Sequence, residues 1–166
     1  GLGITELRAH LVRLYQHHLT EAQSVKHRFR LAIDRAFTIK GSGLVVTGTA
    51  FSGQVKTGDT LWLTGANRPV RIRSIHAQNQ PAEVAGAGER IALNITGDIS
   101  KQEVSRGDWL LQQELPEASD RVLAIMHCDK PLRHWQSVHL HHSVNHITGR
   151  VSMLQGAVSA GSDILV

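Results

Sequence analysis

The sequence predicts a mainly β protein built around an antiparallel barrel, on three observations. From Phe29 the pattern takes a period of two: Phe29, Leu31 and Ile33 alternate with Arg30, Ala32 and Asp34, as a half-buried strand requires. Turn chemistry then recurs at short intervals, at Gly41-Ser42-Gly43, Ser52-Gly53, Thr57-Gly58-Asp59 and around Gly86 and Gly88. Between these turns lie short apolar or β-branched stretches at 45–47, 61–63, 70–75 and 91–95. Many short strands with frequent glycine turns are the pattern of an antiparallel barrel.

Each flank reads differently. Residues 4–16 predict a helix, because Ile4, Leu7, Leu11 and Leu14 fall on one face and Val12 and Tyr15 widen the stripe. Thr5 is placed to cap its start, and Glu6 suits the positive helix end. That leucine face is expected to pack. The polar stretch 17–26 reads as a linker. A second boundary falls at 114–117, where Glu, Leu, Pro and Glu follow one another. Beyond it, 122–126, 138–142 and 150–154 read as strands of another β-unit with too few strands to close. The expected organisation is therefore 1–24 helix and linker, 25–114 barrel, and 115–166 a partial second barrel.

No apolar run approaches the length of a membrane span, so the chain reads as soluble. It starts at Gly1 with no charged-then-apolar leader, and reads as part of a longer protein. Cys128 is the single cysteine and cannot form an internal disulfide, which suits the cytoplasm; it is expected to be a small buried side chain. The formal net charge is +4. Residues 25–114 carry 12 of the 18 basic and 8 of the 14 acidic residues, and both flanks balance to zero. A basic middle segment fits an anionic partner such as RNA, or simply a solubilising surface.

Several short motifs resolve as turns or polar faces. Gly41-Ser42-Gly43 opens like a dinucleotide fingerprint, but Val46 stands where the third glycine belongs and no helix follows. No GxxxxGK[ST] occurs, so nucleotide binding by a P-loop is excluded for these residues. Arg106-Gly107-Asp108 spells an adhesion tripeptide, yet reads as a turn into Trp109-Leu110. No nucleophile-elbow context supports a Ser–His–Asp set. His139 and His141 share a strand face, His142 points the other way and His146 follows. Zinc commonly needs three or four convergent ligands, so a polar face is preferred to a metal site there.

At 29–65 the sequence FRLAIDRAFTIKGSGLVVTGTAFSGQVKTGDTLWLTG resembles the second domain of the translational GTPases related to elongation factor Tu. The carriers are the I-D-R-x-F strand, G-x-G-x-V-V-T-G and G-x-V-x-x-G-D, with 90–94 and Arg106-Gly107-Asp108 in comparable places. GLGITELRAHL is similar to the last helix of that family's GTPase domain. Within the family, Ile33-Asp34-Arg35, RIRSIHAQNQ, GERIALNITGD and HHSVNHITGRVSML resemble the selenocysteine-specific factors most.

The resemblance implies a fold and a task. It implies a barrel of the translation-factor domain II type followed by part of domain III, in a parent that uses GTP and magnesium, with no cofactor in these residues. It implies selenocysteyl-tRNA and the ribosome as partners, and an mRNA hairpin bound through domains outside this chain. It places an aminoacyl pocket at Asp34, Arg35 and Arg90. A selenol is more acidic than a thiol, so two guanidinium groups would favour selenolate over a serine hydroxyl. Asp34 would then take the α-amino group or hold one arginine. Alternation puts Arg35 on the side of Ile33 unless it sits at the barrel mouth or a bulge intervenes. Further tRNA contacts are expected at Arg71, Arg73, His142, His146 and Arg150. The competing readings are a general aminoacyl-tRNA carrier or initiation-type factor, and a histidine-rich metal-binding protein.

Overall fold

The computed structural model describes residues 3–22, 27–115, 119–153 and 162–165, with the backbone alone at 17–22 and 162–165. The chain divides into two compact units, Gly1–Glu114 and Leu115–Val166.

The first unit opens with helix α1, Ile4–Ala22. It starts two residues earlier than a Thr5 cap would allow, because the Leu7 N–H already donates to the Gly3 carbonyl at 2.9 Å. It also runs into the expected linker, since 17–22 contain neither glycine nor proline to stop it. Residues 23–26 of that linker lie outside the described residues. The expected packing of the helix face is not observed: Leu7, Leu11 and Leu14 are 58%, 55% and 43% exposed.

The barrel strands are β1 (Arg30–Ile39), β2 (Gly43–Ser52), β3 (Gln54–Lys56), β4 (Thr60–Leu63), β5 (Arg68–Ala77), β6 (Gln80–Ala82), β7 (Val84–Gly86), β8 (Arg90–Thr96) and β9 (Trp109–Leu111). The order β4-β9-β1-β2-β8-β5 closes through an additional β4–β5 pairing. The result is a closed six-stranded antiparallel barrel; β6 extends β5, and β3 pairs with β7 separately. Closure removes the strand edges that an open sheet would expose. Phe29, Leu31, Ile33, Val46, Leu63, Ile72, Leu93 and Leu110 fill the interior. Gly48 stands where β1 crosses closest: a Cβ there would lie 2.0 Å from the Ala32 carbonyl oxygen.

One turn design is used three times. Gly58, Gly88 and Gly107 adopt φ of 93°, 85° and 99°, and each is followed by an acid. Asp59, Glu89 and Asp108 then accept the backbone N–H three residues back, from Lys56, Gly86 and Ser105, at 2.6–2.8 Å. The same three residues return their own N–H groups to the carbonyls of Lys56, Gly86 and Ser105. Each turn leads into a barrel strand, so the carboxylate fixes where the next strand begins.

In the second unit, β10 (Ile125–Cys128) pairs with β13 (Ser162–Leu165), and β11 (Ser137–His142) pairs with β12 (Asn145–Arg150). The strand expected at 122–126 starts later, because Val122 and Leu123 find no ladder and stay about 70% exposed. The strand expected at 150–154 is misplaced. The two-residue turn at Ser143-Val144 makes 145–150 the return strand; 151–153 lie in no strand and Leu154 lies outside the described residues. Cys128 is buried at 6% exposure.

Candidate functional site

The outer surface of the barrel carries the candidate site, and a bulge in β1 creates it. Ile33 pairs with Gly48 and Arg35 pairs with Thr47, so Asp34 is an extra residue with no partner on β2. An extra residue reverses the parity of all that follow. Ala36 rather than Arg35 therefore packs toward the core, and Arg35 turns outward.

Paired residues share a face in an antiparallel sheet, so the outer surface can be read in rows. One row runs Arg35, Thr47, Ala92, His76 across β1, β2, β8 and β5. The row on one side is Ala32, Thr49, Arg90, and the row on the other is Phe37, Val45, Asn94, Ser74. Asp34 reaches into this field. It accepts the Thr47 hydroxyl at 2.7 Å, and its carboxylate meets Arg90 Nη2 at 2.9 Å. Arg90 remains half exposed while Asp34 is largely covered. Arg35 makes no ion pair or hydrogen bond among the described residues. Of the two arginines that Asp34 was expected to be able to hold, it is Arg90 that it pairs with. Of the two guanidinium groups only that of Arg90 meets the Asp34 carboxylate, and with Arg35 on the same face cations outnumber that carboxylate.

Sequence reasoning missed Thr47, which holds Asp34 from below, and His76, which ends the central row. Alternation from Val46 and from Ile75 would have put both on the outer face. It missed Asn94 as well. The Asn94 amide donates to the Ser42 carbonyl at 2.7 Å, tying β8 to the β1–β2 turn, while its Oδ1 is buried with no hydrogen-bond partner.

The remaining expected contacts are scattered. Arg71 and Arg73 are exposed on β5, Arg73 at a register shift between Ile72 and Ser74. His142, His146 and Arg150 lie on the β11–β12 hairpin of the second unit. There His146 pairs with His141, their rings stacked at 5.5 Å, and Thr148 Oγ1 lies 3.4 Å from His139 Nδ1. No group of three or more metal-ligating side chains converges among the described residues. No described helix is long and apolar enough to cross a membrane.

Residues 43–111 match the family described as elongation factor Tu domain 2, and residues 119–164 match that described as the beta-barrel domain of selenocysteine-specific elongation factor. The selenocysteine-specific elongation factor of Escherichia coli (strain K12) is 56% identical over 155 residues, which cover 93% of this chain and 25% of that protein. The chain belongs to the selenocysteine-specific elongation factor family. The Haemophilus influenzae factor of the same name is 43% identical over 98% of this chain and 25% of its own length. The chain thus spans about a quarter of the curated relatives it matches. A crystal structure of bacterial selenocysteine-specific elongation factor EF-Sec superposes with a TM-score of 0.73 at 26% identity, over all of this chain and 28% of that one. Translation elongation factor SelB from Methanococcus maripaludis, apo form, shares the fold with a TM-score of 0.64 at 24% identity, over all of this chain and 41% of that one.

Proposed function

We propose that this chain supplies the aminoacyl-tRNA-binding barrel of a GTP-dependent factor that delivers selenocysteyl-tRNA to the ribosome. In this reading 1–24 are the last helix of a GTPase domain and its linker, 25–114 are domain II, and 115–166 are part of domain III. GTP, magnesium and the mRNA hairpin are handled by domains outside this chain, and the factor works in the cytoplasm.

One observation carries the reading: Arg35 and Arg90 lie on the same outer face with a single carboxylate, Asp34, between them. An uncharged side chain gains little from such a face, whereas a selenolate gains a charge-assisted contact. Ala92, between Thr47 and His76 in the central row, leaves the surface low beside the guanidinium groups. Asp34 acts chiefly as the positioning group, since Thr47 and Arg90 already occupy its oxygens.

The test is pH. Protonation removes the anion, so affinity for selenocysteyl-tRNA should fall as pH drops through the selenol pKa, and affinity for seryl-tRNA should lack that component. Two parallel pH profiles would refute the reading.

A further inference from the structure

Trp135 occupies a conformation that suits almost any other use better than tryptophan. It is the third residue of the turn Arg133–Gln136, with φ of 63°. Turns put glycine or asparagine at such a position, and a bulky residue there is strained. The strain is held in place from every side. Gln136 N–H donates to the Arg133 carbonyl at 3.1 Å, and the Gln136 side chain accepts the Arg133 N–H at 3.0 Å. Trp135 N–H donates to the Val151 carbonyl at 2.7 Å, and Val151 N–H donates back to Gln136 at 3.0 Å. His134 Nδ1 accepts the Met153 N–H at 3.2 Å, and the His134 ring stands edge-on to the indole at 5.5 Å. This network does not bury the ring: Trp135 is 60% exposed. A strained backbone that presents an aromatic face to solvent points to a ligand for that face.

The surrounding charge says what kind. Residues 130–153 contain Lys130, Arg133, Arg150 and five histidines, with no aspartate or glutamate. Arg150 pairs with Ser137 and precedes Val151, whose backbone is bonded to Trp135 and Gln136. Cations close in the chain to a flat exposed ring fit a polyanion with π-faces, which is how unpaired nucleotides are bound.

We propose that Trp135 is a stacking platform for an unpaired base of RNA, with Lys130, Arg133 and Arg150 taking the adjoining phosphates. The inference rests on the RNA-carrier reading for the class of partner, but not on the Asp34–Arg90 face.

The experiment measures binding of this chain to two labelled RNAs, a hairpin with an unpaired loop and a fully paired duplex of the same length. Trp135→Gly relieves the strained φ, so the unfolding temperature should hold or rise. Affinity for the looped RNA should nevertheless fall about tenfold, in the range reported for loss of one base–aromatic stack, while duplex binding changes little. Should the glycine variant fail to fold, Trp135→Phe and Trp135→Leu decide the matter. The phenyl ring should retain most of the loop affinity and the leucine should lose it. Equal affinities of the wild type and the glycine or leucine variant would overturn the inference, as would equal losses on loop and duplex. If neither RNA binds, the RNA-carrier reading falls with it. If both bind and Trp135 is indifferent, the platform alone is refuted.

Discussion

The two units use the same alternating grammar and end with opposite results. In the barrel, 20 apolar residues are buried in the described structure, among them Ile33, Val46, Leu63, Leu93 and Leu110 at essentially zero exposure. Among the described side chains of the second unit, only Cys128 and Val151 reach that state. Leu140 and Ile147 face each other across the β11–β12 ladder, yet are 47% and 56% exposed. Alternation is therefore not what buries a side chain. The barrel buries its inward face because the β4–β5 pairing closes the sheet on itself. The described strands of the second unit form two separate two-stranded ladders, and such ladders enclose nothing.

The sharpest way to break this comparison uses two strand glycines. Gly48→Ala would drive a methyl group into the Ala32 carbonyl, which is backbone and cannot swing aside. It should cost about 3 kcal/mol or more, as overpacking against fixed atoms does. Gly149→Ala on β12 meets nothing within 4 Å, and should change stability by about half a kcal/mol or less. Urea denaturation of both variants checks the difference, and comparable losses would mean that the second unit is packed as tightly as the first.

Truncating leucines should give a smaller contrast of the same sign. Leu93→Ala removes a fully buried side chain and should cost about 2–5 kcal/mol. Leu140→Ala, half exposed, should cost under about 1 kcal/mol. Near-equal midpoint shifts in denaturant would show that the exposed ladder carries more of the stability than its surface implies.

The smallest effect concerns Glu103, after strand β8. Its carboxylate takes the Ser100 N–H at 2.8 Å and the Ser100 hydroxyl at 2.9 Å, with Arg68 3.5 Å away. The backbone bond from Ser100, the Ser100 hydroxyl and then Arg68 hold its carboxyl below the ordinary glutamate pKa. A depressed acid stabilises above its unfolded pKa and loses that contribution as pH falls through the folded one. Glu103→Gln should therefore lower the melting temperature slightly near neutrality, and the gap should close on acidification below that range. A gap that persists in acid would trace the effect to packing.

These contrasts also mark what could be read in advance. The barrel's longer strands were legible at Phe29–Ile33, where Phe29, Leu31 and Ile33 are buried as expected and Ala32 is buried as well, and at 91–95, where burial follows the alternation one residue at a time. The three-residue strands β3, β6 and β7 were not, because three residues carry no period. The Asp34 bulge was legible only as a conflict, an arginine with core parity, and the ladder resolved it. The strand at 145–150 was missed since the apolar run after Arg150 outweighed a turn with no glycine; Ser143 makes that turn at a φ of 56°. The site residues Asp34 and Arg90 carried a signal through their resemblance to known factors. Thr47 and His76 needed the register, and Trp135 needed its backbone angle.

The central claim is that the barrel face reads charge, and Arg90 tests it most directly. Its ion pair with Asp34 is half exposed, so removing it should disturb stability by only about 0–1 kcal/mol. Arg90→Met in the full-length factor should therefore fold normally and weaken selenocysteyl-tRNA binding by about ten- to a hundredfold, the scale of one charge-assisted contact. Seryl-tRNA binding should change far less. Equal losses for the two charged tRNAs, with a shallower salt dependence, would make Arg90 a phosphate contact and contradict the charge-reading face.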